Sequence, residues 1–296
     1  MTNLPTSPVP GTPQPAGLDT AWRVEPARSS VIGQVAAVWR HRGLLWPLTV
    51  RALFDVYRNA ILGILWMFIR PLMVAVPAIF VVGNLFGISV DPVPLPLFIL
   101  VGLAAWGFFR RCVQWFTKSM IKNRAVLKRV YVPALLLLIA SASPALFEFA
   151  VVLALVAITA IYYAIQGIYF IDFGLHTLTT IPALLMGLLL AIAVGCFTSI
   201  LNAVARDTGL AMRYVLGFWM LVTPIVYPME IIPEQYRWIA YLNPLAPVVE
   251  LFRWGVLAYG TVQWQYVGLA AAEILLLLLL GIWFFGKQQN RLFDHM

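Results

Sequence analysis

The segment LTTIPALLMGLLLAIAVGCFTSILNAV (178–204) contains no charged residue over its whole length. A helix needs about 20 apolar residues to cross the roughly 30 Å hydrocarbon core of a bilayer. The segment therefore predicts a transmembrane helix. The whole chain agrees, because 62% of its 296 residues are hydrophobic and only 11% are charged. This composition predicts an all-α polytopic membrane protein.

Five further apolar segments flank this one, separated by polar or proline-containing loops. Together the six predict six transmembrane helices within a domain of residues 60–286. In chain order the predicted spans cover 61–86, 97–116, 134–163, 178–204, 214–227 and 266–285.

Positive charge is distributed unevenly about these spans. With both termini in the cytoplasm, 17 of the 20 Lys and Arg residues fall in cytoplasmic segments. Arg237 and Arg253 would then be external, and Arg70 would lie within a span. Cytoplasmic loops carry the excess of Lys and Arg in membrane proteins, so we expect both termini to be cytoplasmic. The same topology accounts for the net charge of +8; we predict no nucleic-acid partner, since no binding motif is present.

The chain ends differ from the apolar centre. Residues 1–30 are rich in proline and poor in large apolar residues, which predicts a disordered cytoplasmic tail. Residues 31–59 alternate apolar and basic groups, which predicts amphipathic helices in the membrane interface, broken at Pro47. An ordinary solvated helix is the alternative. Residues 287–296 predict a second cytoplasmic tail.

The segment WIAYLNPLAPVVELFRWGVLAYG (238–260) is apolar but is not predicted to cross the membrane. Asn243-Pro244 and Pro247 interrupt its first part. The remaining 12 residues would span about 18 Å, near half of the lipid core. We therefore expect a re-entrant pair of half-helices within 228–262, a structure tolerated only inside protein or beside water.

The segment KNRAVLKRVYVP (122–133) is strongly basic. It belongs to a stretch, Lys118 to Arg129, that holds five cations and no acid. Because it can form a helix with an apolar face of its own, residues 121–132 predict a short cytoplasmic helix that docks on a partner. Simple topogenic charge is the alternative.

Three segments resemble the ABC-2 type permeases that export polysaccharides. In YRNAILGILWMFIRPL (57–72), the residues Leu62, Gly63, Trp66 and Pro71 match the pattern with which an interfacial helix runs into that family's first span. NRAVLKRVYVP (123–133) is similar to the family's coupling helix, and 205–257 resembles its fifth span and external half-helices. The likeness covers about residues 45–290 in the family's order.

The resemblance implies a transport subunit with no catalytic residues, embedded in a bacterial inner membrane. It implies a homodimer around a channel, joined by two copies of a separate ATP-binding subunit. The chain has no G-x-x-x-x-G-K-[ST] motif, so ATP and Mg²⁺ would bind to that partner and no cofactor to this chain. The scattered His and Cys residues predict no metal site.

The implied cargo is a lipid-linked glycan such as O-antigen. Alternatives with the same architecture are export of capsule, teichoic acid, or a small lipid or drug. A membrane glycosyltransferase or polymerase, and a non-transporting scaffold, are alternatives of a different class.

Four sets of functional residues are predicted. The residues predicted to dock on the ATPase are Asn123, Arg124, Leu127, Lys128, Arg129 and Tyr131. The interfacial-helix set is Arg51, Tyr57, Arg58, Leu62 and Gly63. The cargo-path set is Arg70, Arg110, Arg111, Trp66, Trp106, Phe109, Trp115 and Trp219. The external-gate set is Tyr227, Pro228, Asn243, Pro244, Glu250 and Arg253.

The charged members of these sets carry the chemical predictions. Arginine is costly in lipid and normally faces a polar interior, so Arg70, Arg110 and Arg111 predict recognition of an anionic lipid head or an acidic glycan. Snorkelling, or pairing with Glu148, is the alternative. Glu250 and Arg253, three residues apart, are predicted to pair and hold the gate.

Overall fold

The computed structural model describes residues 31–57, 63–124 and 132–294, and within these ranges every regular element is a helix. The first half contains α1 (Val31–Arg40), α2 (Leu45–Tyr57), α3 (Gly63–Ile79), α4 (Leu95–Lys122), α5 (Ala134–Ala140) and α6 (Ser143–Ile165). The second half contains α7 (Thr180–Val204), α8 (Thr208–Val222), α9 (Glu234–Tyr241), α10 (Leu245–Leu257) and α11 (Trp264–Asp294). The predicted tail 1–30 lies outside the described residues.

Five helical segments are long and apolar enough to cross a membrane. They are Leu65–Leu85, Leu95–Lys122, Ala134–Ile165, Leu175–Val204 and Trp264–Gln288. The chain is therefore a multi-pass membrane protein, and five of the predicted spans are present at full length. The other predicted span, 214–227, corresponds to α8, which is apolar but has only 15 residues.

Pro47 and Pro247, which were predicted to interrupt helices, each lie in the first turn of a helix. Pro47 lies in the first turn of α2, and the interruption after α1 falls at residues 41–44, so the predicted break at Pro47 is wrong. Pro247 likewise lies in the first turn of α10. The first-turn N–H groups of a helix have no intrahelical acceptor, so a proline there removes no hydrogen bond.

Helix α4 forms the centre of the molecule. In its most apolar window 78% of the residues are buried, against 17% for the span that contains α3. It packs most extensively against α7, and also against α6 and α10. Gly195 permits α7 to pack closely on α4, because a Cβ there would lie 2.5 Å from the Cβ of Phe116.

Polar contacts connect the C-terminal parts of α4 and α7. The hydroxyls of Thr117 and Thr198 lie 2.8 Å apart, and the Asn202 amide donates to the Thr117 carbonyl at 3.0 Å. The Asn202 side-chain oxygen accepts from Gly209 N at 2.9 Å, in the first turn of α8. These bonds tie α4, α7 and α8 together just before the predicted docking segment.

Helices α1 and α2 lie beside the bundle with apolar side chains exposed. The Ser143 hydroxyl donates to the Thr49 carbonyl at 3.0 Å, which joins α2 to the start of α6. Trp39, Trp46 and Phe54 are exposed by 70%, 76% and 66%. An apolar surface of this kind requires a cover other than water.

Candidate transport site

Three arginines meet at a cleft bordered by α3, α4 and α6. Arg70, Arg110 and Arg111 line a cavity of about 100 Å³ together with Glu148. Arg70 is exposed and Arg110 is half-buried. The structure thus brings together the three arginines that the sequence singled out, although their positions are 40 residues apart.

One of these arginines is neutralised inside the cleft. Arg111 Nε lies 2.7 Å from Glu148 Oε2, and the Glu148 side chain is only 12% exposed. The predicted alternative for Arg111, pairing with Glu148, is therefore present. Glu148 is the one acidic side chain among the described lining residues, so the cleft keeps a net positive charge at Arg70 and Arg110. Such a cleft can accommodate an anionic group.

The predicted cargo-path aromatic residues do not gather along one surface. Phe109 is fully buried, with its ring centroid 5.2 Å from that of Trp219. Trp106 borders the arginine cleft but is only 2% exposed. Trp115 lies elsewhere, beside Lys122, and Trp66 on α3 is 44% exposed. Phe109 therefore packs in the core, because α4 is central and its large side chains fill the interior. Its predicted place on a cargo path stays a prediction.

Asn243, one of the predicted gate residues, makes three side-chain hydrogen bonds. Its side-chain oxygen accepts from Trp219 Nε1 at 2.9 Å and from Leu245 N at 3.1 Å. Its amide nitrogen donates to the Thr223 hydroxyl at 2.8 Å. Asn243 thus connects the end of α8 to the start of α10, which begins after Pro244. Nearby, the Tyr227 hydroxyl donates to the Leu221 carbonyl at 3.2 Å, and Pro228 precedes the turn Met229–Ile231.

The predicted ion pair between Glu250 and Arg253 is wrong. The Arg253 guanidinium donates to the Ile225 carbonyl at 2.8 Å and to the Pro224 carbonyl at 3.4 Å. It also lies 3.7 Å over the ring of Phe98. The segment after α8 leaves backbone carbonyls without helical partners, and a buried guanidinium supplies several donors in fixed directions.

Glu250 borders the same small cavity as Arg253 but has a different hydrogen-bond partner. Its Oε1 accepts from the Tyr241 hydroxyl at 3.4 Å. Burial raises the pKa of the Glu250 carboxyl to about 7, while Tyr241 and Arg253 act in the opposite direction. This carboxyl is therefore available both as a donor and as an acceptor near neutral pH.

Sequence reasoning missed Gly102, on which the Arg253 arrangement depends. A Cβ at Gly102 would collide with the Ile225 carbonyl oxygen and lie 2.7 Å from the Arg253 guanidinium. One glycine inside an apolar span carries no periodic signal, so only the three-dimensional contact shows its role.

The predicted docking segment and interfacial helix meet at one point. Arg51 of α2 lines a cavity of about 20 Å³ together with Trp115, Lys122 and Asn123. Lys122 Nζ lies 5.1 Å over the Trp115 ring, and the Asn123 amide donates to the Ser119 carbonyl at 3.0 Å. Arg124 follows at the end of the described stretch. The predicted residues Leu127, Lys128, Arg129, Tyr131, Arg58 and Leu62 lie outside the described residues, and for Tyr57 and Gly63 only the helical backbone is described.

A sequence profile for "ABC-2 type transporter" matches residues 43–257. The chain belongs to the ABC-2 type transporter family. The matched range runs from just before α2 to the end of α10, so it includes the arginine cleft, the basic segment and the Arg253 contacts. Membership in the ABC-2 family makes this chain a transport subunit of a membrane transporter.

Curated relatives of this ABC-2 chain carry a more specific name. A Klebsiella pneumoniae protein named "O-antigen export system permease protein RfbA" is 23% identical over 249 residues, covering 84% of this chain and 93% of the relative. A second Klebsiella pneumoniae protein of that name is 24% identical over 253 residues, with the same coverage. A Myxococcus xanthus protein of that name is 25% identical over 228 residues, covering 75% of this chain and 84% of the relative.

Proposed function

We propose that this chain is the permease subunit of an ATP-driven exporter that moves a lipid-linked, O-antigen-like polysaccharide across a bacterial inner membrane. The observation that carries the proposal is the likeness to O-antigen export permeases over 84% of this chain and 93% of the relative. The arginine cleft supports it, because its net positive charge suits the anionic head of a lipid-linked glycan.

The proposed topology has six spans in residues 60–286, with α1 and α2 in the cytoplasmic interface. Helix α8 and the chain after it complete the fifth crossing, and α9 and α10 are external half-helices within 228–262. Both termini, including the tails 1–30 and 287–296, are then cytoplasmic. Counting charges supports this arrangement, since 17 of the 20 Lys and Arg residues fall on the cytoplasmic side.

The proposed complex contains two copies of this chain and two copies of an ATP-binding subunit, which holds ATP and Mg²⁺. Residues 121–132 dock on that subunit, with Lys128 and Arg129 against acidic groups of the partner. Arg51 of α2 and Lys122 and Asn123 at the end of α4 line one small cavity, and this proximity gives the movement of the partner a route into the bundle. Since α4 is the central helix, its displacement would change the packing of α6, α7 and α10.

The experiment that tests the proposed function is depletion of this protein in its host, with measurement of the lipid-linked glycan pool and of the surface glycan. We expect polyprenyl-linked polymer to accumulate at the inner leaflet while the surface glycan is lost. Re-expression of the chain should reverse both changes. If no polymer is made, a synthase role replaces export; an unchanged pool would direct attention to small lipids or drugs as cargo.

A further inference from the structure

A second cavity, separate from the arginine cleft, opens beside α9, α10 and the start of α11. It has a volume of about 420 Å³ and shares no lining residue with the arginine cleft. This volume falls within the range of small-molecule sites. In the proposed topology the cavity lies on the external side, next to the half-helices.

Aromatic rings form one part of its lining. The Trp238 side chain on α9 is 55% exposed. Tyr241 and Tyr266 stack with ring centroids 3.9 Å apart and planes 9° apart. Tyr241 is buried behind this stack and holds the ring of Tyr266, which is half-buried, in place at the cavity. The C–H groups on the face of a pyranose ring are apolar and pack against flat aromatic surfaces, so rings of this kind suit a sugar.

Polar side chains complete the lining. Glu230, Glu234 and Glu250 contribute carboxyl groups, and Gln235, Gln263 and Gln265 contribute amides. Carboxylates accept hydrogen bonds and amides both donate and accept, which is the chemistry needed to bind the hydroxyls of a saccharide. The cavity therefore combines an apolar face with many polar groups.

The charge of the cavity restricts the saccharide. Among the described residues that line it, three carry a carboxyl group and one, Arg237, is a cation. That arginine is already engaged, because its Nε donates to the Ile232 carbonyl at 2.9 Å and its Nη2 to the Glu230 carbonyl at 3.1 Å. Its Nη1 lies 3.7 Å from Glu234. An anionic sugar would meet excess negative charge here, whereas a neutral or amino-bearing sugar would not.

We propose that this cavity binds a neutral or amino-bearing saccharide unit of the exported glycan as it leaves the channel. The inference rests on the proposed export function and adds the class of sugar. A resident metal ion is a poorer occupant, because the described residues contain no group of three His, Cys, Asp or Glu side chains placed to hold one.

The test is saccharide binding to the full-length protein in nanodiscs, measured by saturation-transfer difference NMR. The probes are maltotriose and chitotriose (neutral), the glucosamine trimer (cationic) and trigalacturonate (anionic). We expect binding of at least one neutral or cationic probe, and about tenfold weaker binding of that probe to Trp238→Ala. Tyr236→Ala is the matched control, because Tyr236 lies on the same helix, is 53% exposed and does not line the cavity.

Three results would overturn the proposal. They are equal binding to Trp238→Ala and Tyr236→Ala, no binding of any probe to the wild-type protein, and binding of trigalacturonate as tight as that of the neutral probes.

The depletion experiment separates this inference from the proposed function. If depletion removes the surface glycan but Trp238→Ala binds saccharide as well as wild type does, the saccharide site is refuted and the export function is retained. If Trp238→Ala weakens saccharide binding but depletion leaves the surface glycan unchanged, the export function is refuted and the saccharide site is retained.

Discussion

At the scale of single residues, the buried position of Arg253 depends on the absence of a side chain at Gly102. We expect Gly102→Ala to destabilise the protein by about 1–3 kcal/mol, because its Cβ would collide with the Ile225 carbonyl. Gly107→Ala is the control on the same helix, since a Cβ there meets nothing within 4 Å. Thermal unfolding of the purified protein, followed by tryptophan fluorescence, measures both. Equal melting temperatures for the two variants would show that α10 can yield at this contact.

Glu250 predicts a pH-dependent stability. Burial raises its pKa from about 4.5 to about 7. Of the neighbouring groups, Tyr241, Arg253 and Arg237 lower this pKa and Glu230 raises it. Between these values the folded state holds a proton that the unfolded state has lost, so the free energy of unfolding falls as the pH rises. Glu250→Gln removes this dependence. Its melting temperature relative to wild type should therefore be higher at pH 8 than at pH 5, by about 2–4 °C.

The control for that measurement is Glu234→Gln, on a side chain that is 89% exposed. This variant neutralises a carboxyl of the same cavity that is not buried, so it separates the effect of burying a carboxyl from the effect of losing a charge. If the melting temperatures of Glu250→Gln and wild type change in parallel from pH 5 to pH 8, the pH dependence does not come from Glu250.

Arg70 carries the prediction for transport. It is exposed in the cleft, where Arg111 is paired with Glu148. We expect Arg70→Ala to lower the export rate about tenfold while membrane insertion stays normal, because it removes one of the two cleft arginines that pair with no carboxylate of the described residues. Arg70→Lys, which keeps the charge, should retain more activity. The readout is the rate at which surface glycan reappears after induction; an unchanged rate in Arg70→Ala would assign this residue a structural role.

At the scale of elements, the predicted docking helix 121–132 should act through its charge. Lys128→Glu combined with Arg129→Glu should abolish coupling to ATP hydrolysis without unfolding the bundle, because the change reverses the sign of the surface offered to the partner. The matched control is Arg206→Glu with Arg213→Glu, on exposed residues just before α8 and within its first half. Copurification of the ATPase subunit and export are the measurements. Retention of both in the first variant would refute docking at this segment.

The elements also show how far the sequence could predict the structure. Long, predominantly apolar runs specify helices directly, so the spans at 97–116 and 178–204 match α4 and α7. The boundaries were less predictable: α4 extends to Lys122, and α8 begins at Thr208, six residues before the predicted start. Polar residues at a helix end are compatible with either helix or loop, and only tertiary contacts such as that of Asn202 with Gly209 decide.

The site divides in the same way. Charge within a span is conspicuous in a sequence, so Arg70, Arg110 and Arg111 could be identified and do share a cleft. The partner of a buried charge is not encoded by spacing. Arg253 bonds to the Ile225 carbonyl and not to the glutamate one turn away. That carbonyl lies 28 residues away in the chain and only the fold brings it near, so the sequence could not indicate it.

At the scale of the whole molecule, the helices differ in what covers them. The bundle surrounds α4, whereas the span containing α3 is 17% buried, and Met73 and Val76 are exposed by 64% and 61%. Lipid can cover such apolar side chains, but the exposed Arg70 on the same helix needs a polar neighbour. A second copy facing α3 would enclose the arginine cleft between subunits, which agrees with the proposed homodimer.

The number of crossings is the remaining property of the whole molecule, and α8 decides it. Its 15 residues extend about 22 Å, less than the roughly 30 Å lipid core, so in the proposed six-span topology the chain beyond Val222 completes the crossing. We expect Glu234→Cys to react with a membrane-impermeant maleimide in spheroplasts, and Arg206→Cys and Lys287→Cys to react only after lysis. The native Cys112 and Cys196 are buried and give little background. If α8 instead turns back, Glu234→Cys will be protected in spheroplasts and Lys287→Cys will react, which would place the saccharide cavity in the cytoplasm and refute the external gate.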